Sequence, residues 1–314
     1  MVEGNKKINI LRGLLYLSPA IILLAVFTFY PIIHTFIISF NYEYNFMTQK
    51  FNPDGWGFKN YATLFAEGNP FLMYLKNTML IVFVSVPISI LLSLLIAVAL
   101  NSIKPLQKFL QTVFFLPYVT NTIAIGMVFS IMFESQQGLV NTLLNMMGSS
   151  SINWLGGNID GGLIFGSQNF TSLCVLMVYI IWNSLPFKVL ILLSSLQGVD
   201  KQYYQAAQID GTSKFRTLTK ITVPLLSPQI FYLLITSFIG AFKEYTSVVA
   251  IFGENASSVG SRNNMATIVW YIYERVYKGG KTMGYAAAAA VFLFIIILFF
   301  TAINKIIEKK KVHF

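Results

Sequence analysis

Six times along this chain an apolar run long enough to cross a lipid bilayer recurs, at about 14–39, 77–100, 109–133, 171–194, 229–252 and 284–304. A hydrocarbon core of about 30 Å needs about 20 apolar residues in helical form. In lipid a backbone must satisfy its own hydrogen bonds, which leaves helices or closed barrels as the spanning structures. Runs of this length and uniformity fit helices. The sequence therefore reads as an all-α integral membrane protein with six transmembrane helices, residues 1–314 forming one transmembrane domain. Composition agrees, since 55% of residues are hydrophobic and only 11% charged, with a mean hydropathy of +0.65, too apolar for a water-soluble domain of this size. Prolines 19, 31, 87, 117 and 186 fall within or at the ends of these runs, so kinked helices are expected, tolerated because neighbouring groups re-satisfy the freed carbonyls.

The N-terminal run follows Lys6, Lys7 and Arg12, a pattern shared with secretory signals. It is far longer than the roughly 7–15 apolar residues of a signal core, so it reads as a retained span. Of the 22 Lys and Arg, thirteen fall in residues 1–13, 101–108, 195–228 and 305–314, seven in the alternate connections, and two, Lys188 and Lys243, inside spans. Basic residues accumulate on the cytoplasmic side, which places both termini and the connection around 200–224 there. The connection 134–168 carries no Lys or Arg and falls on the outer side, with those near 52–70 and 253–283.

The same inventory removes several functions. The net charge of +10 is scattered between apolar runs, as orientation in a bilayer requires, and does not form a nucleic-acid surface. One cysteine, Cys174, excludes an internal disulfide, and two histidines, His34 and His313, leave no metal centre or Ser-His-Asp constellation. Gly280-Lys281-Thr282 ends like a phosphate-binding loop, but the glycine that must open such a loop falls on Arg275. The chain is thus read as a non-enzyme with no cofactor of its own.

The cytoplasmic segment 200–224 is polar and helix-prone. Asp200 is a ready N-cap, Gln205, Ala206, Ala207 and Gln208 are good helix formers, and Asp210-Gly211 predicts a turn. A second short helix should end before Pro224. Two readings stand on the residues: a loop held to the headgroups by Lys214, Arg216 and Lys220, or an elbow that docks on another protein.

The spacing Gln205-Ala206-Ala207, then Gly211, then Ile221-x-Val223-Pro224, resembles the EAA loop of binding-protein-dependent ABC importer permeases. The resemblance extends from about residue 17 to 307. It includes Leu17-Ser-Pro-Ala with Tyr30-Pro31, Phe58-x-Asn60-Tyr61, Phe114-Phe-Leu-Pro117, Gly138-Leu-Val-Asn141, and Tyr271-Ile-Tyr followed by Gly284-Tyr-Ala-Ala-Ala. It is similar to the sugar-importer branch, in particular the MalF-like or UgpA-like half of a permease pair. The resemblance implies a type I ABC importer permease architecture in the plasma (inner) membrane of a prokaryote. The implied partners are a second permease subunit, two ATP-binding subunits that hold ATP and Mg, and an extracellular or periplasmic sugar-binding protein. Tyr204, Gln205, Ala206, Ala207, Asp210, Gly211 and Pro224 would form the coupling helix and its turn. Two positions depart from the pattern: Gln205 stands where the motif opens on Glu, leaving a hydrogen bond in place of a charge, and Gly253-Glu254-Asn255 replaces a Gly-Gly-Pro turn.

Within the spans, Thr236, Gly240, Lys243, Glu244 and Ser247 recur at intervals of three to four, and Asn183, Ser184, Phe187 and Lys188 form a second polar stripe. A lone charge at mid-bilayer costs on the order of 3 kcal/mol, so two polar faces predict a shared cavity. The resemblance implies that Asn183, Ser184, Phe187, Phe242, Lys243, Thr246 and Ser247, with Lys188 and Glu244, contact a saccharide through ring stacking and hydrogen bonds. For Lys188 the alternative is a side chain that snorkels to the cytoplasmic face, and for Glu244 a gate contact with a partner. A neutral oligosaccharide is the first expectation; an acidic sugar or sugar phosphate follows if both lysines face the cavity. The rival function is an ion-coupled secondary transporter using Lys243 and Glu244 as its relay, for which inverted repeats would be expected. Ala286 to Ala290 after Gly284 predict close helix packing.

Overall fold

The computed structural model describes residues 6–103, 107–155, 170–253, 265–277 and 282–311. Among these the backbone is helical apart from turns, loops and two isolated β-bridges, Asn41 with Trp56 and Asn45 with Lys50. Four helices are long and apolar enough to cross a membrane: Arg12–Ser39, Phe71–Ser102, Phe170–Gln197 and Met283–Glu308. The third and fifth expected spans are not continuous. The third is two helices, Phe109–Val119 and Thr122–Met132, bent by 95°. The fifth, expected as one helix over 229–252, stops at Phe242 and restarts at Thr246. Its N-terminal half also joins Lys214–Leu225 through a 71° bend. Contacts group the chain into two compact units, 1–69 with 272–292 and 70–271 with 293–314.

In the first unit the opening span contains a π-helical turn, Ala25–Phe29, in which the Tyr30 amide donates to the Ala25 carbonyl five residues back. Pro31 follows immediately. Proline has no N–H and its ring pushes the preceding carbonyl aside, so one widened turn lets the helix continue. Little of this helix is covered by the rest of the chain: Leu15, Tyr16 and Phe27 are 68%, 83% and 74% exposed, as suits an apolar surface in a bilayer. At its end the chain is clamped by Asn60, buried, whose Nδ2 donates to the Ser39 and Asn41 carbonyls at 2.9 and 3.0 Å. Tyr61 shares a 2.8 Å hydrogen bond with Ser39, which accounts for the Phe58-x-Asn60-Tyr61 pattern. A Cβ at Gly284 would fall 2.8 Å from the Asn41 carbonyl and from Asn60 Nδ2, so only glycine fits beside this clamp.

The second unit is built on Phe71–Ser102 packed along Phe170–Gln197. Its core joins Leu94, Ala97, Leu100, Val189, Leu192, Leu193, Leu196, Leu226 and Leu233. On the first of these helices Ser85, Ser89 and Ser93 recur every fourth residue, all buried, each hydroxyl donating to a carbonyl three or four residues back. Such bonding keeps polar groups satisfied inside a helix interface and lets the backbones approach. The 95° break has a local cause: Pro117 weakens the end of the first helix, Thr120 Oγ1 donates to the Pro117 carbonyl, and the Asn121 side chain accepts from Ile123 and Ala124 N to open the second.

The connection after this break is ordered by one side chain. Asn141, fully buried, donates to the Ser135 and Ile152 carbonyls at 2.9 and 2.8 Å and accepts from Ile152 N and Trp154 Nε1 at 3.1 and 2.9 Å. Glu134 caps the same segment, accepting from Gln137 and Gln136 N at 2.7 and 3.0 Å. Those bonds, Gln137 foremost, hold its carboxyl below the usual carboxylate range.

Candidate functional site

The polar stripes of the sequence meet in the second unit around a cavity of about 310 Å³, within the roughly 300–1,000 Å³ of small-molecule sites. Phe71–Ser102 contributes Ser85, Val86 and Ser89; Phe170–Gln197 contributes Ile180, Asn183, Ser184, Phe187 and Lys188. The broken fifth span contributes Thr236, Ser237, Gly240 and Ala241, then Glu244 and Ser247. Tyr118, beside the third-span break, completes the wall and stacks on Phe187 at 5.6 Å between ring centroids and 17° between planes.

Lys188 does not snorkel. It is 6% exposed, and its Nζ donates to the Ser89 hydroxyl and, at 3.2 Å, to that of Ser184. Glu244 lies at the fifth-span break, where its Oε1 accepts from Ser247 N at 2.9 Å and its carbonyl accepts from Thr267 Oγ1 at 2.6 Å. The carboxylate thus caps the first turn of Thr246–Phe252 while facing the cavity.

Three expected site residues are elsewhere. The expectation that Lys243 and Glu244 share one helical face assumed an unbroken helix. Because the helix terminates at Phe242, Lys243 becomes its C-cap and its side chain is exposed outside the cavity wall. Phe242 is fully buried against Phe300 at 5.4 Å, and Thr246 is exposed at the start of the next helix. Asn183, Ser184, Phe187, Lys188, Glu244 and Ser247 do line the cavity. Sequence reasoning missed Tyr118, Ser85 and Ser89; the four-residue serine spacing was a readable signal, whereas Tyr118 reaches the wall only through the break beside it.

The cytoplasmic segment forms the expected elbow. Asp200 accepts from Gln202 N at 3.0 Å and opens Lys201–Ile209. Gly211, at φ +61°, closes it, with Gly211 N donating to Gln208 O at 3.1 Å and Thr212 N to Ala207 O at 2.9 Å; this left-handed cap suits glycine. Ser213 then caps Lys214–Thr217. The second helix does not end before Pro224 as expected. A π-helical turn, Leu218–Thr222, with Val223 N bonded to Leu218 O, carries it through Pro224 to Leu225, the device used at Pro31. Of the expected coupling residues, Gln205, Ala206, Asp210, Gly211 and Pro224 are exposed. Ala207 is 5% exposed and faces inward, and half-buried Tyr204 meets the Thr222 hydroxyl at 3.4 Å. Ile209 and Phe215, which the sequence reading passed over, are 86% and 75% exposed on this polar elbow. Residues 156–169, Glu254-Asn255 and Gly280-Lys281 lie outside the described residues.

Comparison with known proteins gives three findings. The model of the family described as "Binding-protein-dependent transport system inner membrane component" matches residues 89–313. The chain is 30% identical to the arabinooligosaccharides transport system permease protein AraP of Bacillus subtilis, over 92% of this chain and 86% of that one, and 30% identical to the lactose transport system permease protein LacF of Rhizobium radiobacter, over 95% of each. In fold it matches a chain of a bacterial ABC transporter involved in the import of alginate, with a TM-score of 0.76 at 21% identity over 96% of both chains.

Proposed function

The chain belongs to the binding-protein-dependent transport system inner membrane components, and from that premise we propose that it is one half of a heterodimeric permease in an ATP-driven importer of carbohydrate. One observation carries the reading: a single compact unit holds both the membrane cavity and the exposed elbow. A pathway and its mechanical coupling thus sit on one scaffold. The cavity offers two stacked aromatic rings beside amide, hydroxyl, ammonium and carboxylate groups, the combination by which sugar faces and hydroxyls are held. Arabinooligosaccharide and lactose transport among its relatives support a saccharide substrate.

In this reading the termini and elbow lie in the cytoplasm, the elbow seats in an ATP-binding subunit, and ATP and Mg are held by two such subunits. An external sugar-binding protein delivers the substrate. Closing of the ATP-binding subunits moves the elbow, and the breaks at Asn121 and at Lys243–Tyr245 are where the spans can pivot. No observation favours the ion-coupled alternative, because Lys243 lies outside the wall that holds Glu244.

The test is purification of the tagged subunit in mild detergent, with mass spectrometry of its companions and an ATPase assay. Recovery of a second permease and a P-loop ATPase, stimulated by a loaded sugar-binding protein, is the expected result. A subunit that purifies alone and still moves solute in liposomes overturns it.

A further inference from the structure

Resting on the carbohydrate-importer reading, we propose that Lys188 selects for an anionic group on the saccharide, so that the transported substrate is an acidic oligosaccharide of the uronic type. The ammonium of Lys188 is buried, and its hydrogen-bond partners are two uncharged hydroxyls, Ser89 and Ser184. Among the described residues no carboxylate stands within ion-pairing distance of it. An ammonium withdrawn from water without an opposite charge is costly, and it retains a third N–H on the wall of a cavity that admits ligand.

Glu244 faces the same cavity but does not supply the missing charge. Its carboxylate is engaged by the helix it caps, through Ser247 N. The two groups also lie on different elements, Lys188 on Phe170–Gln197 and Glu244 at the fifth-span break. An acidic saccharide completes this set: its anion meets Lys188, a ring face lies against the Tyr118 and Phe187 pair, and hydroxyls reach Asn183 and the free side of Glu244. A neutral sugar would leave the ammonium paired only with hydroxyls.

The experiment uses the full complex with its binding protein in proteoliposomes. Uptake of a panel of uronic-acid oligosaccharides is compared with that of carboxyl-reduced counterparts of equal length. The expected result is a kcat/KM at least ten-fold higher for the acidic series. That ratio should fall at least ten-fold in Lys188→Gln and persist in Lys188→Arg, with one binding protein throughout. Equal or better uptake of the carboxyl-reduced series by the wild-type complex overturns the inference while leaving the carbohydrate reading intact, and this arm needs no variant to fold. A ratio unchanged in Lys188→Gln overturns Lys188 as its source. Failure of both series, and of arabinooligosaccharides and lactose tested beside them, to be taken up or to stimulate ATP hydrolysis defeats the carbohydrate reading itself.

Discussion

Gly126 and Ala250 touch so closely that a Cβ on Gly126 would overlap the Ala250 methyl group. The two residues lie on the helices that follow the breaks in the third and fifth spans, so this contact fixes the distance between the re-started halves. Gly to Ala in an unhindered helix stabilises by about 1 kcal/mol. Here overpacking, typically about 1–3 kcal/mol, should win. Gly126→Ala is expected to lower the melting temperature of the detergent-solubilised complex, and Gly126→Ala with Ala250→Gly to restore it. A stabilised single variant would show that the two helices are not in contact.

Replacing Asn141 by Leu leaves Ile152 N, Trp154 Nε1 and two carbonyls without their partner. Each buried polar group so abandoned costs about 1–3 kcal/mol. Residues 134–154 should become protease-sensitive while ATP hydrolysis by the assembled complex remains.

Within that segment Glu134 gives a pH signature. Its folded pKa is lowered by the Gln137 and Gln136 amides. The sign follows: its contribution is present above the ordinary carboxylate range and is lost as pH falls through the lowered value. The protection of residues 134–154 against hydrogen exchange, taken relative to the intrinsic exchange rate at each pH, should fall at acid pH in the wild type, and Glu134→Gln should flatten the dependence.

On the elbow, two adjacent alanines should behave oppositely. Ala206 is exposed and Ala207 buried. Ala206→Leu is expected to leave the melting temperature unchanged and to reduce retention of the ATP-binding subunit, because it alters only the outward face. Ala207→Leu should destabilise the subunit by about 1–3 kcal/mol before any partner is considered. Equal effects on stability would remove the assigned faces.

Gly211 ends the same helix in the left-handed region, where a Cβ costs about 1–2 kcal/mol and Asn is better tolerated than other residues. Gly211→Val should uncouple substrate-stimulated ATP hydrolysis from transport more than Gly211→Asn. The check is the ratio of ATP hydrolysed to substrate imported.

Residue order was enough for the membrane class, the number of apolar runs, and the elbow from Asp200 to Gly211. Each of these rests on local chemistry: run length against bilayer thickness, a carboxylate that caps, a glycine at positive φ. It also brought Asn183, Ser184, Phe187 and Lys188 to one wall through helical spacing, whereas Glu244 and Ser247 reach the same cavity only because the fifth span breaks between them and Gly240. Spacing arguments hold only while the helix continues, and here they failed at Lys243, where the fifth span breaks; the place that the family resemblance implied for Phe242 failed for a different reason, since that side chain packs into the core against Phe300. The tertiary structure alone decided those placements. It also brought Tyr118 to the wall beside Phe187 and tied Lys188 to Ser89, two residues 99 positions apart in sequence. Burial and pairing between distant segments depend on how breaks re-aim the helices, and no periodicity within one segment encodes that direction.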